Sequence, residues 1–306
     1  MLKHICSLML AVLSIHYADV ANALELQKVT DNVYAIVGEL GNRSSENLGN
    51  NATFGFVVTS EGVVLIDSGG SYKGAQKIHE LIRRVTAKPV VMVINTGGQD
   101  HRWMGNGYFK NQGAKIIANA RAVADQKART QDQFFILGTL IGDDGLKGTE
   151  AVYADITFDK KYQIDLGGTT IEIHYAGQAH TPGDSFVWLP KQKVMFTGDI
   201  VFTERMPGIL DHSNSKSWVM AYQAMAAYKP AIVIPGHGHP TSLDKANADT
   251  YEYLIFLRRA VKEFMKAGGD ITAISKVDQS QYKHLINYAT LAGRNAQRVF
   301  AELEWE

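Results

Sequence analysis

Four times along this chain a short, continuous apolar run ends in a turn-rich stretch that carries His or Asp. Val90–Ile94 leads into Asn95-Thr96-Gly97-Gly98-Gln99-Asp100-His101, and Thr169–Tyr175 into Gly177-Gln178-Ala179-His180-Thr181-Pro182-Gly183-Asp184. Lys193–Phe196 leads into Thr197-Gly198-Asp199, and Ala231–Ile234 into Pro235-Gly236-His237-Gly238-His239. Apolar runs of this length read as buried strands, and loops at strand ends are where a rigid scaffold presents reactive side chains. A lone Asp-His pair is more often a surface hydrogen bond, and a lone Gly-Asp is usually a turn. Their joint occurrence, in this order, is what carries weight.

The intervening sequence predicts interleaved strands and helices. Leu26–Thr30 and Asn32–Gly38 are strand-like, with Val33, Ala35 and Val37 in period-2 alternation, and Gly41–Asn51 is a polar loop dense in turn formers. Thr53–Thr59 and Gly62–Asp67 form a hairpin turned at Ser60-Glu61-Gly62. A helix runs from Ser71 to about Val85 with Ala75, Ile78, Leu81 and Ile82 on one face, stopped by Pro89. A second covers about Ala118–Ile141, and its apolar Phe134-Phe135-Ile136-Leu137 is read as core packing rather than as a lid. Strands follow at Ile156–Phe158, Tyr162–Ile164 and Ser185–Leu189, then a helix at Lys216–Tyr228; Leu243–Glu306 reads as helical throughout. The class is α/β (α+β), with sheet cores covered by helices.

Lys plus Arg and Asp plus Glu both number 31. No global field therefore recruits nucleic acid or anionic lipid, and a small-molecule partner is expected. Lys3, the apolar Ile5–Ile15 and Ala21-Asn22-Ala23 predict an export signal over residues 1–23, hence a periplasmic protein with no membrane anchor after cleavage. The only cysteine, Cys6, lies inside that signal. A mature chain without cysteine has no disulfide and no thiolate, so any metal must be held by His and carboxylate.

In these blocks the chain resembles the metallo-β-lactamase-fold superfamily, which includes glyoxalase II-like thioesterases. The resemblance runs from about Val33 to His239 on Phe54-Gly55-Phe56-Val57-Val58, Gly62–Asp67, Asp100-His101…Gly105-Asn106, His180–Asp184, Phe196-Thr197-Gly198-Asp199 and Pro235-Gly236-His237-Gly238. The end of the chain, Asn295–Glu304, looks like the tail of periplasmic members associated with sulfur oxidation and quinoprotein pathways. The resemblance implies a four-layer αββα sandwich over residues 24–242, with residues 243–306 as C-terminal helices packed on or extending the same domain. It implies the motif His-x-His-x-Asp-His, whose two leading histidines fall here on Thr96 and Gly98. Of the implied first metal site only His180 and Asp199 remain. The implied second set, Asp100, His101, Asp199 and His237, is complete.

One zinc ion is therefore expected in that second set, a site that would also accept Fe²⁺ or Mn²⁺. The expected activity is hydrolysis by metal-bound water of a small ester, thioester, lactam or other sulfur-containing substrate, with Asp100 and His180 as catalytic residues. His180 is read either as acid/base or as a loop-holding hydrogen-bonding group. The alternative is a non-hydrolytic metal-binding accessory protein in periplasmic sulfur or alcohol oxidation. A third reading, iron-dependent oxygenation of persulfides, is disfavoured because such members keep their metal in the first site. Asp67 is expected to brace the first metal loop, His239 to replace His237 only if the loop register differs, and His212 to lie at the surface. Gly41–Asn51 and the segment around Phe134–Ile141 are candidates for the substrate rim. Nothing in the sequence sets an oligomeric state.

Overall fold

The computed structural model describes residues 24–306, so the export-signal reading and Cys6 lie outside the described residues. A first sheet contains β1 (Leu24–Lys28), β2 (Val33–Gly38), β3 (Thr53–Val58), β4 (Val63–Ile66), β5 (Val90–Asn95), β6 (Lys115–Asn119) and β7 (Ile156–Phe158), ordered as in the chain. Its first four strands are antiparallel hairpin neighbours, and from β4 onward the pairing is parallel. The second sheet runs β8 (Lys161–Leu166), β9 (Thr169–Tyr175), β10 (Ser185–Leu189), β11 (Val194–Phe196) and β12 (Ile232–Ile234), with only the last pair parallel.

Helices cover the outer faces because the strand residues alternate between two apolar environments. Val63 and Leu65 of β4 pack beneath α1 (Tyr72–Val85), against its buried Ala75, Ile78, Leu81 and Ile82. Their neighbours Val64 and Ile66 face the second sheet, in one cluster with Ile171, Ile173, Val187 and Phe196. On β10 the parity repeats: Val187 and Leu189 point between the sheets, whereas Phe186 and Trp188 point outward into the third cluster. The result is four layers: helix, sheet, sheet, helix.

Short elements follow β5: α2 (Asp100–Trp103) and α3 (Asn106–Asn111). The long α4 (Ala120–Leu146) comes next, interrupted at Gly142, whose φ of 73° is left-handed. The helix expected from Ala118 therefore starts two residues later; Lys115–Asn119 is instead strand β6, paired in parallel with β5, and Asn119 caps the helix. Core packing explains only part of the apolar stretch on α4. Leu137 is buried against Trp103, but Phe135 and Ile136 are 77% and 53% exposed.

The outer face of the second sheet carries α5 (Ser215–Ala226), and α6 (Leu243–Ala246), α7 (Glu252–Lys266) and α8 (Tyr288–Glu304) complete that layer. Leu254, Leu257 and Val261 of α7 and Ala296, Val299 and Phe300 of α8 share one cluster with Phe186, Met195 and Trp218. The C-terminal region is not helical throughout, as the sequence suggested. Gly268, at φ 81°, ends α7, and the connection to α8 holds two short 3₁₀ turns, Ile271–Lys276 and Ser280–Tyr282.

Candidate metal centre

The four His/Asp stretches reach the same end of the paired sheets. Asp100 and His101 sit on the single turn of α2, directly after the loop that leaves β5, and both are buried. Asp199 lies in a 3₁₀ turn after β11, entered through left-handed Gly198 at φ 49°. His237 follows β12 on a loop tied to β3, where Thr53 donates from its N–H to Gly236 O (2.7 Å) and from its hydroxyl to Gly238 O (2.6 Å).

Three of the expected residues converge. His101 Nε2 lies 3.3 Å from Asp199 Oδ2, and His237 Nε2 lies 3.2 Å from Asp199 Oδ1. Ligand atoms of His101, Asp199 and His237 all fall within 4.8 Å of one another. Asp100 stands apart from this group: its Oδ1 accepts hydrogen bonds from Arg43 Nη2 and from the His101 N–H. His180 also stands apart, with Nδ1 2.8 Å from Gly208 O and its ring packed against Phe202 and Trp218. His239 is half-exposed and paired with Glu204 (3.0 Å), outside the group. Contrary to the surface reading, His212 lines a cavity beside Asp100, its ring 6.4 Å from that of His180.

Three arginines surround the group. Arg102 is wholly buried and forks onto Asp199, from Nη2 to Oδ1 (2.6 Å) and from Nε to Oδ2 (3.1 Å). It also donates to Asp67 (2.9 Å), Thr53 O (3.0 Å) and Gly236 O (2.9 Å), so one side chain ties α2 to β3, β4 and the loops after β11 and β12. Arg43 bonds Asp100, and Arg205 donates to Gly41 O and reaches His237 Nδ1 (3.1 Å). Three carboxylates thus meet two guanidinium groups, Asp67 and Asp199 on Arg102 and Asp100 on Arg43, while Arg205 bonds carbonyls and His237. Burial pushes the Asp199 carboxyl up, but Arg102 and the two histidines outweigh it and hold the group well below the usual range. Asp100 is likewise held down, against its burial, by Arg43 and His101. Burial and then Arg205 push His237 well below the ordinary histidine value.

The protons of His237 show whether an ion fits here. Nδ1 is 2.8 Å from Asn51 O, an acceptor, and Nε2 faces Asp199 Oδ1, another acceptor. Without an ion, Nδ1 accepts from Arg205 Nη1 (3.1 Å) and the single N–H of a neutral ring, on Nε2, donates to Asp199. A cation at Nε2, with the proton on Nδ1, equally satisfies both contacts, and Arg205 retains its bond to Gly41 O. The group His101, Asp199 and His237 therefore fits a metal ion.

A first-site ion does not fit. A Cβ on Gly98 would collide with the Asp125 carboxylate, and one on Gly97 with that of Asp184. Gly98 O accepts from Gln133 Nε2 (2.8 Å) and Arg129 Nη2 (3.3 Å), and Gly97 O from Gln126 (3.1 Å), so α4 closes over the loop. Thr96 turns the other way, donating from its N–H (2.7 Å) and hydroxyl (2.8 Å) to Asp67, itself held at φ 63°.

Residues 48–237 match the family model for the metallo-beta-lactamase superfamily. The chain belongs to that superfamily. Among its relatives, a metallo-beta-lactamase type 2 from Elizabethkingia meningoseptica is 26% identical over 218 residues, covering 70% of this chain and 78% of the relative. Metallo-beta-lactamase IND-1 from Chryseobacterium indologenes is 27% identical over 186 residues, 60% of this chain and 70% of the relative. Of solved structures, a metallo-beta-lactamase from Pontibacter korlensis aligns with a TM-score of 0.59 and 24% identity, covering 76% of this chain and 99% of that one. DIM-1 metallo-beta-lactamase aligns at 0.56 and 19%, over 74% of this chain and 94% of its own. These structures share the fold with this chain.

Relative to the superfamily motif, the unforeseen residues are the arginines. Arg102 had one legible signal: it follows a buried strand and two candidate ligands within a single helical turn, beside Trp103, where solvent has little room. Arg43 and Arg205 had none, since contacts 57 and 32 residues away along the chain place them.

Proposed function

We propose that this metallo-beta-lactamase superfamily member is a periplasmic hydrolase that works with one metal ion held by His101, Asp199 and His237. Its substrate is a small ester, thioester, lactam or related sulfur-containing molecule. The observation that carries this reading is the convergence of ligand atoms of three buried residues within 4.8 Å of one another. Two imidazoles and a carboxylate suit zinc, and also Fe²⁺ and Mn²⁺. When bound, such an ion supplies Lewis-acid activation of water near neutral pH.

The chain's own residues do the rest. Asn51 O orients the His237 ring, and Arg102 keeps Asp199 ionised with both oxygens fixed. His180 is pushed down to about 3, chiefly by burial. It is therefore neutral, with Nδ1–H directed to Gly208 O and the Nε2 lone pair free to accept a hydrogen bond, but it is a weak base. A cavity of about 330 Å³ lined by Asp100, though not by His101, Asp199 or His237 themselves, is the candidate substrate space. Its wall takes Arg43 from the loop after β2, Arg129 and Ile136 from α4, and Arg294 and Arg298 from α8. The same wall carries Asp100, Asp132 and Asp211, and Arg43, Arg129 and Arg298 are ion-paired with carboxylates, so the lining is of mixed charge. Export rests on the N-terminal sequence; among the described residues no helix is long and apolar enough to cross a membrane.

One observation favours the accessory-protein reading: Arg102 and Arg43 already neutralise Asp199 and Asp100. Elemental analysis paired with turnover of thioester and lactam reporters separates the two. About one ion per chain, with turnover lost in Asp199→Ala, supports the hydrolase. Metal without turnover supports the accessory role, and no metal after reconstitution overturns both.

A further inference from the structure

We infer that Arg43 is a resident competitor for the metal, and that its release from Asp100 and His101 sets how tightly an ion is held. This rests on the metal-centre reading above and concerns how that same site is regulated. Arg43 Nη2 contacts both Asp100 Oδ1 and His101 Nδ1, the latter at 2.9 Å. A guanidinium only donates. While Arg43 is in place, the proton of His101 sits either on Nε2, donating to Asp199 Oδ2 at 3.3 Å, or on Nδ1, facing Asp100 Oδ1 at 3.3 Å but crowded by the guanidinium.

In the first form neither nitrogen of His101 can bind an ion, and the second is the one the guanidinium disfavours. Ligation through Nδ1 needs the lone pair that Arg43 uses. Ligation through Nε2 moves the proton to Nδ1, where it would face an N–H of Arg43. Both routes are favoured by withdrawal of the guanidinium, which releases Asp100 from its partner as well. The ion thus replaces a cation already present, and the carboxylate it frees becomes available to it.

The three arginines of the site differ in how firmly they are held. Arg102 makes five hydrogen bonds, and Arg205 is anchored on Gly41 O and Asn51 O. Arg43 has its two contacts through the single nitrogen Nη2, and its buried Nε has no partner. It also lines the cavity of about 330 Å³ that holds the carboxylates of Asp132 and Asp211. Among the three, Arg43 is the one that can leave without dismantling the fold.

The test is zinc affinity of the full mature chain, measured by competition with a chromophoric chelator, in wild type, Arg43→Met and Arg43→Lys. Arg43→Met should bind zinc roughly 10-fold to 100-fold tighter, the range over which groups bonded to metal ligands act. Its metal-free form should melt at a lower temperature than wild type, because buried Asp100 loses its counter-charge. Arg43→Lys, with a flexible ammonium in place of the fork, should fall between, and it carries the test if Arg43→Met does not fold. Equal or weaker zinc binding in the variants would overturn the inference while leaving the metal centre standing. Absence of zinc binding in all three would overturn the metal centre itself.

Discussion

Arg102→Met tests the account of the site most directly. The substitution keeps a long, flexible side chain of similar reach but removes the charge and all five donors. Asp199 and Asp67 are both fully buried, so each loses a counter-charge that water cannot replace. Removing one partner of a buried ion pair costs about 3–5 kcal/mol. The carbonyls of Thr53 and Gly236 lose a donor as well, at about 1–3 kcal/mol each when nothing takes its place. Partial solvation will recover some of this, so the expected loss is at least about 5 kcal/mol, comparable with the whole stability of an ordinary domain, about 5–15 kcal/mol. The assay is urea unfolding of the metal-free protein. Zinc should stabilise the variant more than wild type, because the ion would supply the charge that Asp199 has lost. A destabilisation below about 1 kcal/mol, or equal zinc responses, would refute the claim that Arg102 neutralises these carboxylates.

Three further outcomes are expected. His237→Ala should lose bound metal by elemental analysis, whereas His239→Ala should retain it, because half-exposed His239 is paired with Glu204; metal loss in both would place the ligand differently. Gly98→Ala should cost about 1–3 kcal/mol in thermal or chemical unfolding, since the new methyl meets Asp125, and adding Asp125→Ala should recover part of it. Burial lowers His180 from 6.5 to about 3, so the unfolded chain binds its proton before the folded one does. This contribution to stability is complete above pH 6.5 and declines as the pH falls toward 3, by roughly 1.4 kcal/mol per unit. Unfolding curves at pH 7.5 and 5 should show a smaller difference in His180→Asn than in wild type.

Much of the layered fold was legible in local sequence. The alternation of Val64 and Ile66 with Val63 and Leu65, and of Val187 and Leu189 with Phe186 and Trp188, assigns each strand two apolar faces, which only helices outside and a second sheet inside can cover. Ser71 and Pro89 marked the limits of α1 and the strand beyond it. Strand β6 was missed because Lys115–Asn119 runs directly into a helix without a break, and only its pairing with β5 distinguishes it. The exposed Phe135 and Ile136 defeated the core-packing expectation for a related reason: apolarity reports a preference for burial, whereas the neighbours that could supply it come from elsewhere in the chain.

The sequence by itself determined which donors lie just beyond strand ends, whereas the stacking of the two sheets brings His101, after β5, against Asp199 and His237, after β11 and β12. The sequence also showed that Thr96 and Gly98 lack the imidazoles of the superfamily motif. Only the tertiary structure decided how the charges are balanced. Arg43, Arg102 and Arg205 come from separate segments, and each acts through atoms that close within hydrogen-bonding distance once the two sheets are stacked. Electrostatic interaction depends on distance and burial, and neither is encoded by the spacing of residues along a chain.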